Sequence, residues 1–422
     1  DAALIIPKSH KPLRRWGDFI IMRKTDFLII GGGVIGLSIA RELKHLYTDS
    51  SVVILEKESA CGLHASGRNS GVLHAGFYYS PDSLKARFTR QGNERLRRYC
   101  KEKDIKVNQC GKLVVAKDHT ELSAMDELVK RGKANGIPLQ EITAAEAKEI
   151  EPRVKTWERA LYSPTTATVD PTEVVKAMVN DAQHEGVEIH YDSGYQSRKN
   201  AVVHSSRGTY DSGYIVNAAG LYADHIARDF GFSEHYRILP FKGLYLYSNE
   251  PPGTIRTNIY PVPDLRNPFL GVHVTVTAQG KAKIGPTAIP AFWREQYESF
   301  GNFKLSELMD VLVRQAGLFL FSEFDFKRLA FEEIQKYSRT HLVKLATSLM
   351  EGITPERFVT WGKPGIRAQL LDTKKRKLEM DFVLEGDSRS MHVLNAVSPA
   401  FTCSLPFAEH VCQKIQAQLG DL

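Results

Sequence analysis

The sequence predicts an α/β protein in which a parallel-sheet domain of Rossmann-like type is interleaved with a β-rich second domain. Three observations lead there. Residues 25–56 read as strand, glycine turn, helix and strand. A block rich in short strands and turns fills residues 237–287. Strand–turn–strand then returns in the last 60 residues, before a final helix. At 422 residues the chain is too long for one ordinary core and suits two domains.

The elements follow in order. Thr25–Ile30 is an apolar run suited to a buried strand, and Val34–Leu46 places Leu37, Ala40, Leu43 and Leu46 at helical spacing. Ser51–Leu55 is a second buried strand. Helical patterns recur over Glu121–Ala134 and Pro171–His184, and Tyr214–Gly220 reads as a strand ending in small residues. Leu244–Leu246 and Gly271–Val274 read as strands, residues 305–350 as mostly helical, and Pro406–Leu419 as the closing helix. The expected division assigns 22–100, 165–225 and 345–422 to the first domain and 101–164 and 226–344 to the second. Residues 1–21 are a basic extension carrying Lys8, Lys11, Arg14 and Arg15, with no acid from residue 2 to 17. They suit a transit-peptide remnant, a native extension or added sequence, and Met22 is a plausible start in its own right.

The glycine turn carries the first chemical inference. Gly31-Gly32-Gly33-Val34-Ile35-Gly36 satisfies GxGxxG between a strand and a helix. Gly31 permits the tight turn, Gly33 lets the backbone approach a pyrophosphate, and Gly36 lets the helix pack on the sheet. The helix N-terminus offers free N–H groups and positive potential to phosphates. Glu56 closes the second strand 20 residues after Gly36, placed to accept ribose hydroxyls and to disfavour a 2′-phosphate. An NAD dehydrogenase would continue with further βα units. Here the chain turns instead to His64–Gly76, a loop of small and polar residues able to lie against a flat ring system. FAD is therefore the expected dinucleotide.

Bulk properties exclude other classes. The net charge of +7 is modest and mixed along the chain, fitting an anionic substrate, a membrane surface or an unremarkable basic protein. There is no nucleic-acid signature, zinc spacing or other metal-site pattern. The five cysteines, Cys61, Cys100, Cys110, Cys403 and Cys412, are odd in number and lack a CxxC pair, which points to a reducing compartment rather than a disulfide framework. No run approaches the roughly 20 apolar residues of a membrane span. The most apolar stretch, Ala316–Phe321, suits core or a surface-docking patch.

Several stretches carry a specific resemblance. Asn69–Tyr79 with Ser83–Ala86, Cys110–Ala116, and Ile259–Asp264 continuing through Pro268–His273 are most similar to the L-2-hydroxyglutarate dehydrogenases (oxidases). These belong to the wider FAD-dependent family of D-amino-acid oxidase, glycine oxidase and glycerol-3-phosphate dehydrogenase. Asn217–Asp224 resembles that family's second FAD-contacting motif. Trp361–Arg367 followed by Asp372 resembles its substrate-carboxylate segment, and Asn395–Ala400 the turn over the flavin pyrimidine. The resemblance covers residues 25 to 419 and implies a D-amino-acid-oxidase-like fold. It implies FAD contacts from Gly31, Gly33, Gly36, Glu56, Lys57, Arg68, Asn69, Ser70, Gly71, Ala219, Gly220, Ser398, Pro399 and Ala400. Three positions depart from the pattern: Arg68 replaces His, Lys242 replaces Arg beside Leu244 in place of an acid, and Lys363 replaces a small residue. Lysine does not reproduce arginine's planar, bidentate grip on a carboxylate.

The implied chemistry is oxidation of an L-2-hydroxy acid, L-2-hydroxyglutarate to 2-oxoglutarate, by hydride transfer to flavin N5; the alternative is an amino-acid or amine oxidase of the same fold. Such a reaction needs a cation for the carboxylate and a base for the hydroxyl. Arg367 is the expected anchor, against a plain structural salt bridge. Lys242 is the candidate for a second carboxylate, against a solvated face. His74 and His273 are alternative bases, and Tyr245 and Tyr260 are candidate substrate donors, against an aromatic core role. The expected electron acceptor is a quinone or oxygen, with peripheral membrane contact. The expected location is cytoplasmic or on the inner side of an energy-transducing membrane, mitochondrial in a eukaryote.

Overall fold

The computed structural model describes residues 22–264, 271–321 and 326–420. The extension 1–21, the Pro268–Leu270 part of the motif and the side chains of Phe319–Phe321 lie outside the described residues. The first sheet follows from the strand–glycine–helix unit. Met22–Ile30 pairs in parallel with Val52–Leu55 on one side and Thr209–Asn217 on the other. The order extends to Val187–His190 beyond the former and to Ser390–Asn395 and Val383–Gly386 beyond the latter. Both faces are covered, as parallel strands require. Phe27 and Ile29 enter a core with helices Val34–Leu46, Pro171–His184 and Ala400–Leu419, whereas Leu28 and Ile30 enter one with Tyr210, Ile215 and Ile226.

The helix Leu84–Glu102 has no counterpart in the hydrophobic periodicity. Its buried face includes Lys85, Thr89, Gly92 and Asn93, so an apolar stripe does not announce it. It packs against Ala400–Leu419, where a Cβ on Gly92 would lie 2.1 Å from the Thr402 carbonyl oxygen. That carbonyl is the one whose helical N–H partner is lost at Pro406. The C-terminal helix therefore starts six residues before the expected Pro406 and keeps the proline inside it, with the freed acceptor placed against a residue that has no side chain.

The second sheet has eight strands, in the order Phe358–Trp361, Leu246–Ser248, Ala282–Gly285, His273–Val276, Asn258–Pro261, Lys112–Val115, Arg159–Ser163 and Gln140–Thr143. Phe358–Trp361, within the stretch expected to belong to the first domain, joins this sheet through Leu246–Ser248. A smaller sheet pairs Tyr236–Gly243 with Gly365–Asp372 and carries Arg367. Helices Leu305–Phe321, Phe326–Gln335 and Arg339–Ala346 account for the helical stretch after it. Leu318, in the stretch expected to be core or a docking patch, is buried beside Leu239, Phe241 and Leu371. Among the described residues no helix is long and apolar enough to cross a membrane.

Candidate active site

A cavity of about 1200 Å³ runs from the C-terminal ends of Met22–Ile30 and Val52–Leu55 to strands Asn258–Pro261 and His273–Val276 of the second sheet. It opens where strand order reverses around the first strand, the position at which open α/β sheets bind ligands.

The glycine end is built by backbone sterics. Gly31 has φ +111°, and a Cβ on Gly36 would lie 2.0 Å from the Gly31 carbonyl oxygen, so the helix can start only with glycine at 36. Gly31 and Gly33 line the cavity, and a Cβ on Gly33 would crowd Ser66 Oγ at 3.1 Å. Ser66 Oγ accepts the Val34 N–H at 2.9 Å, tying the following loop to the helix N-terminus. Glu56 is buried. Its two oxygens accept the Gly32 and Glu58 N–H groups, both at 2.9 Å, and burial raises its pKa. Lys57 lines the same end and bridges Glu58 and Glu295.

The loop after it is held from both sides. Asn69 donates to the Ser66 carbonyl at 2.8 Å and accepts the Gly71 N–H at 2.8 Å. Gly71 has φ +77° and lies against the Val169 carbonyl, so it shapes the loop without lining the cavity. Arg68 donates to the Leu63 carbonyl at 2.6 Å, stacks 4.4 Å from the Tyr297 ring centre, and packs its backbone on Gly365. Ala219 and Gly220 line the cavity from a turn that Asn217 caps through the Ala219 N–H, and Asp224 below it forms a buried ion pair with Arg294 at 2.6 Å. Ser398, Pro399 and Ala400 bring the N-terminus of the C-terminal helix to the wall.

The far end gathers side chains from distant segments. His74, Tyr245, Tyr260, His273 and Arg367 all line it. His74 is fixed by its backbone: its N–H donates to Thr402 Oγ1 at 3.2 Å, and Asn93 donates to its carbonyl at 3.2 Å. Among the described residues its Nδ1, which is buried, has no hydrogen-bond partner. Burial, then Lys112 and Arg367, push its pKa down to about 3. His273 stacks on Tyr260, with ring centres 3.6 Å apart and planes 10° from parallel, and burial, then Lys112, His74, Lys336 and Arg367, push it well below the ordinary histidine value. Arg367 is half-buried, and burial lowers its pKa without removing its charge. Tyr245 lies against Ser70, and burial raises its hydroxyl.

One predicted site residue, Lys242, and one departing position, Lys363, are not brought to this end. Lys242 does not line the cavity. In the antiparallel register Lys242 faces Ile366 whereas Phe241 faces Arg367, so alternation sends Lys242 to the opposite side of the sheet from Arg367. The expected second cation is thus corrected at this position. Lys363 is exposed and also off the cavity.

The structure supplies two lysines that periodicity did not single out. Lys85 lines the cavity from the first turn of Leu84–Glu102. Lys112 is fully buried, with Nζ 4.9, 4.5 and 4.6 Å from the ring centres of Phe77, Tyr78 and Tyr260 and no hydrogen-bond partner. Burial brings it down to about 7. Both lie in stretches quoted above for their resemblance, yet a lysine among polar neighbours ordinarily reads as surface.

Comparison with known proteins fits this geometry. Residues 26–414 match the family described as FAD dependent oxidoreductase. The L-2-hydroxyglutarate dehydrogenase of Escherichia coli K12 is 34% identical over 401 residues, spanning 94% of each chain. The mitochondrial L-2-hydroxyglutarate dehydrogenase of Homo sapiens is 35% identical over 414 residues, spanning 93% of this chain and 88% of that one. Among solved structures, FAD-bound L-alpha-glycerophosphate oxidase from Mycoplasma pneumoniae superposes with a TM-score of 0.73 at 21% identity, covering 93% of this chain and 95% of that one. Glycine oxidase from Geobacillus kaustophilus gives 0.69 at 20%, covering 94% and 96%.

Proposed function

The chain belongs to the FAD-dependent oxidoreductase family, its cofactor is FAD, and from that premise we propose that it oxidises L-2-hydroxyglutarate to 2-oxoglutarate. The observation that carries the reading is the pairing of Arg367 with two neutral histidines at one end of the FAD cavity. The relatives at 34–35% identity over nearly the whole chain support the same substrate.

The residues fit the cofactor. The glycine turn would hold the pyrophosphate, buried Glu56 the ribose, and Arg68, Asn69 and Ser70 the flavin, with Ala219, Gly220 and Ser398–Ala400 lining the same cavity. When bound, FAD supplies the two-electron oxidising power that amino-acid side chains lack. The protein's own part is to bind, orient and deprotonate. Arg367 holds the carboxylate beside the reacting carbon through a charge-assisted, bidentate grip. His74 or His273 takes the hydroxyl proton. Both are kept neutral by burial and by the cations Lys112 and Arg367, so each has a lone pair to offer at neutral pH. A carboxylate entering this cationic pocket raises their basicity toward the working range of a general base. Tyr260 orients His273 by stacking, and Tyr245 offers a hydroxyl to the substrate.

Electrons then leave to a quinone or to oxygen. A peripheral membrane contact draws support from Leu305, Met309, Leu312 and Val313, exposed at 63, 55, 38 and 59% on one face of a helix, with Lys304 beside them. Flotation with anionic vesicles at low salt checks it: co-flotation is expected, and protein left at the bottom removes that part of the reading.

The reaction itself is tested by anaerobic addition of substrates to the yellow holoenzyme. L-2-hydroxyglutarate should bleach the flavin. Bleaching by an amino acid or amine, and by no hydroxy acid, would replace this reading with that of an amine-oxidising enzyme.

A further inference from the structure

A dicarboxylate brings two negative charges into a buried space, and only one of them is met by Arg367. Lys85 is positioned for the other. It is 4% exposed, yet its side chain reaches the cavity that contains Arg367. Asp381, the acid that acts on its charge, is already committed: its carboxylate accepts the N–H groups of Leu84 at 2.8 Å, Lys85 at 3.1 Å and Phe382 at 2.9 Å. It serves the helix N-terminus, with Ser83 capping the Ala86 N–H at 3.1 Å alongside it. Among the described residues no hydrogen bond or ion pair holds the Lys85 ammonium, which lies 6.0 Å from the centre of the Tyr79 ring. Burial and the neighbouring Arg367 bring its pKa down to about 8. Two cations sharing one dry cavity repel, and an entering dianion removes that cost. Lys112 does not compete for this role, because its Nζ is sealed from the cavity by the three rings around it.

We propose that Lys85 is the specificity-determining cation of this site: with Arg367 on the carboxylate beside the reacting carbon, the Lys85 ammonium receives the distal carboxylate and selects dicarboxylic over monocarboxylic 2-hydroxy acids. The inference rests on the hydroxy-acid reading above.

The test uses the holoenzyme with L-2-hydroxyglutarate and L-2-hydroxypentanoate, which share a chain length and differ in the distal carboxylate. Loss of a charge-assisted hydrogen bond corresponds to roughly tenfold to over a hundredfold in binding. Lys85→Met, which keeps the buried stem, should lower kcat/KM for the diacid by about that factor, mainly through KM. The monoacid should change by less than about threefold, FAD content should stay the same, and Lys85→Arg should restore part of the diacid preference. Equal losses for both acids, or no loss, overturn the proposal. Should the wild type be bleached by neither acid, the hydroxy-acid reading fails, and glutarate binding followed by the flavin absorbance shift still decides Lys85. Binding to the wild type and weakened binding to Lys85→Met support it; equal binding, or none to the wild type, overturns it.

Discussion

The two ends of the cavity are built on opposite principles. At the dinucleotide end, backbone does most of the shaping, and nearly every polar group has a partner within the protein: Glu56 caps the glycine turn, Ser66 ties down Val34, and Asn69 ties down Gly71. At the substrate end, side chains do the shaping and partners are missing. Among the described residues, His74 Nδ1 and Tyr78 Oη are buried without a hydrogen bond. Folding alone would not select such groups, since each costs about 1–3 kcal/mol when unsatisfied. The contrast separates a site made rigid to hold a permanent cofactor from one kept charged and unsatisfied to receive a transient anion.

The comparison breaks most visibly at the glycines. Gly36→Val drives a side chain into the Gly31 carbonyl and should abolish FAD retention, checked by the visible spectrum of the purified protein; stoichiometric FAD in that variant would mean the turn does not shape the site. At the other end, His74→Asn and His273→Asn should leave FAD bound. Whichever is the base should lose about 10²–10⁴-fold in flavin reduction, with the other losing far less.

The pH profile sharpens the contrast. A histidine held near pKa 3 is unprotonated, and active, far below neutrality. In the free enzyme kcat/KM should therefore not fall on account of His74 until well below pH 5. In the complex the substrate's carboxylates raise the base, so the acid limb of kcat should lie at higher pH. An acid limb of kcat/KM near 6.5 contradicts the buried, cation-flanked setting.

Lys112 gives a smaller effect with a defined sign. Its folded pKa, about 7, lies below its unfolded value of 10.5. The unfolded chain thus binds the extra proton between those values, and the penalty is complete below pH 7 and gone above about 10.5. An apolar side chain of similar length removes that desolvation penalty. Lys112→Met should raise Tm at pH 6 and converge on the wild type as pH approaches 10; a gain independent of pH would contradict a buried ammonium. Lys242→Met, off the cavity, should change neither FAD content nor the preference between a diacid and a monoacid by more than about twofold in steady-state assays.

How much of this was legible follows the same divide. The dinucleotide end lies mostly in contiguous stretches, where spacing carries the geometry: Gly31 to Glu56 needed no knowledge of the rest of the chain. The substrate end depends on register and long-range pairing. Lys242 sits near Arg367 in space, but whether it faces the same way is decided by the pairing of Tyr236–Gly243 with Gly365–Asp372, which the sequence does not display. Lys85 was quoted only within a family stretch, because the acid that organises its turn, Asp381, is 296 residues away and its helix buries polar residues. His74, His273 and Arg367 were identified through resemblance, and their convergence on one cavity became visible only in the fold.

The central claim is that the substrate end can be disabled while the cofactor end stands. Arg367→Ala tests it most directly, through anaerobic stopped-flow reduction by L-2-hydroxyglutarate alongside the wild type, each carrying one FAD per chain. The account predicts full FAD occupancy in both, rapid bleaching of the wild type, and loss of at least roughly tenfold to a hundredfold in the variant's second-order rate of reduction. Equal reduction of both proteins, or loss of FAD along with Arg367, would contradict it.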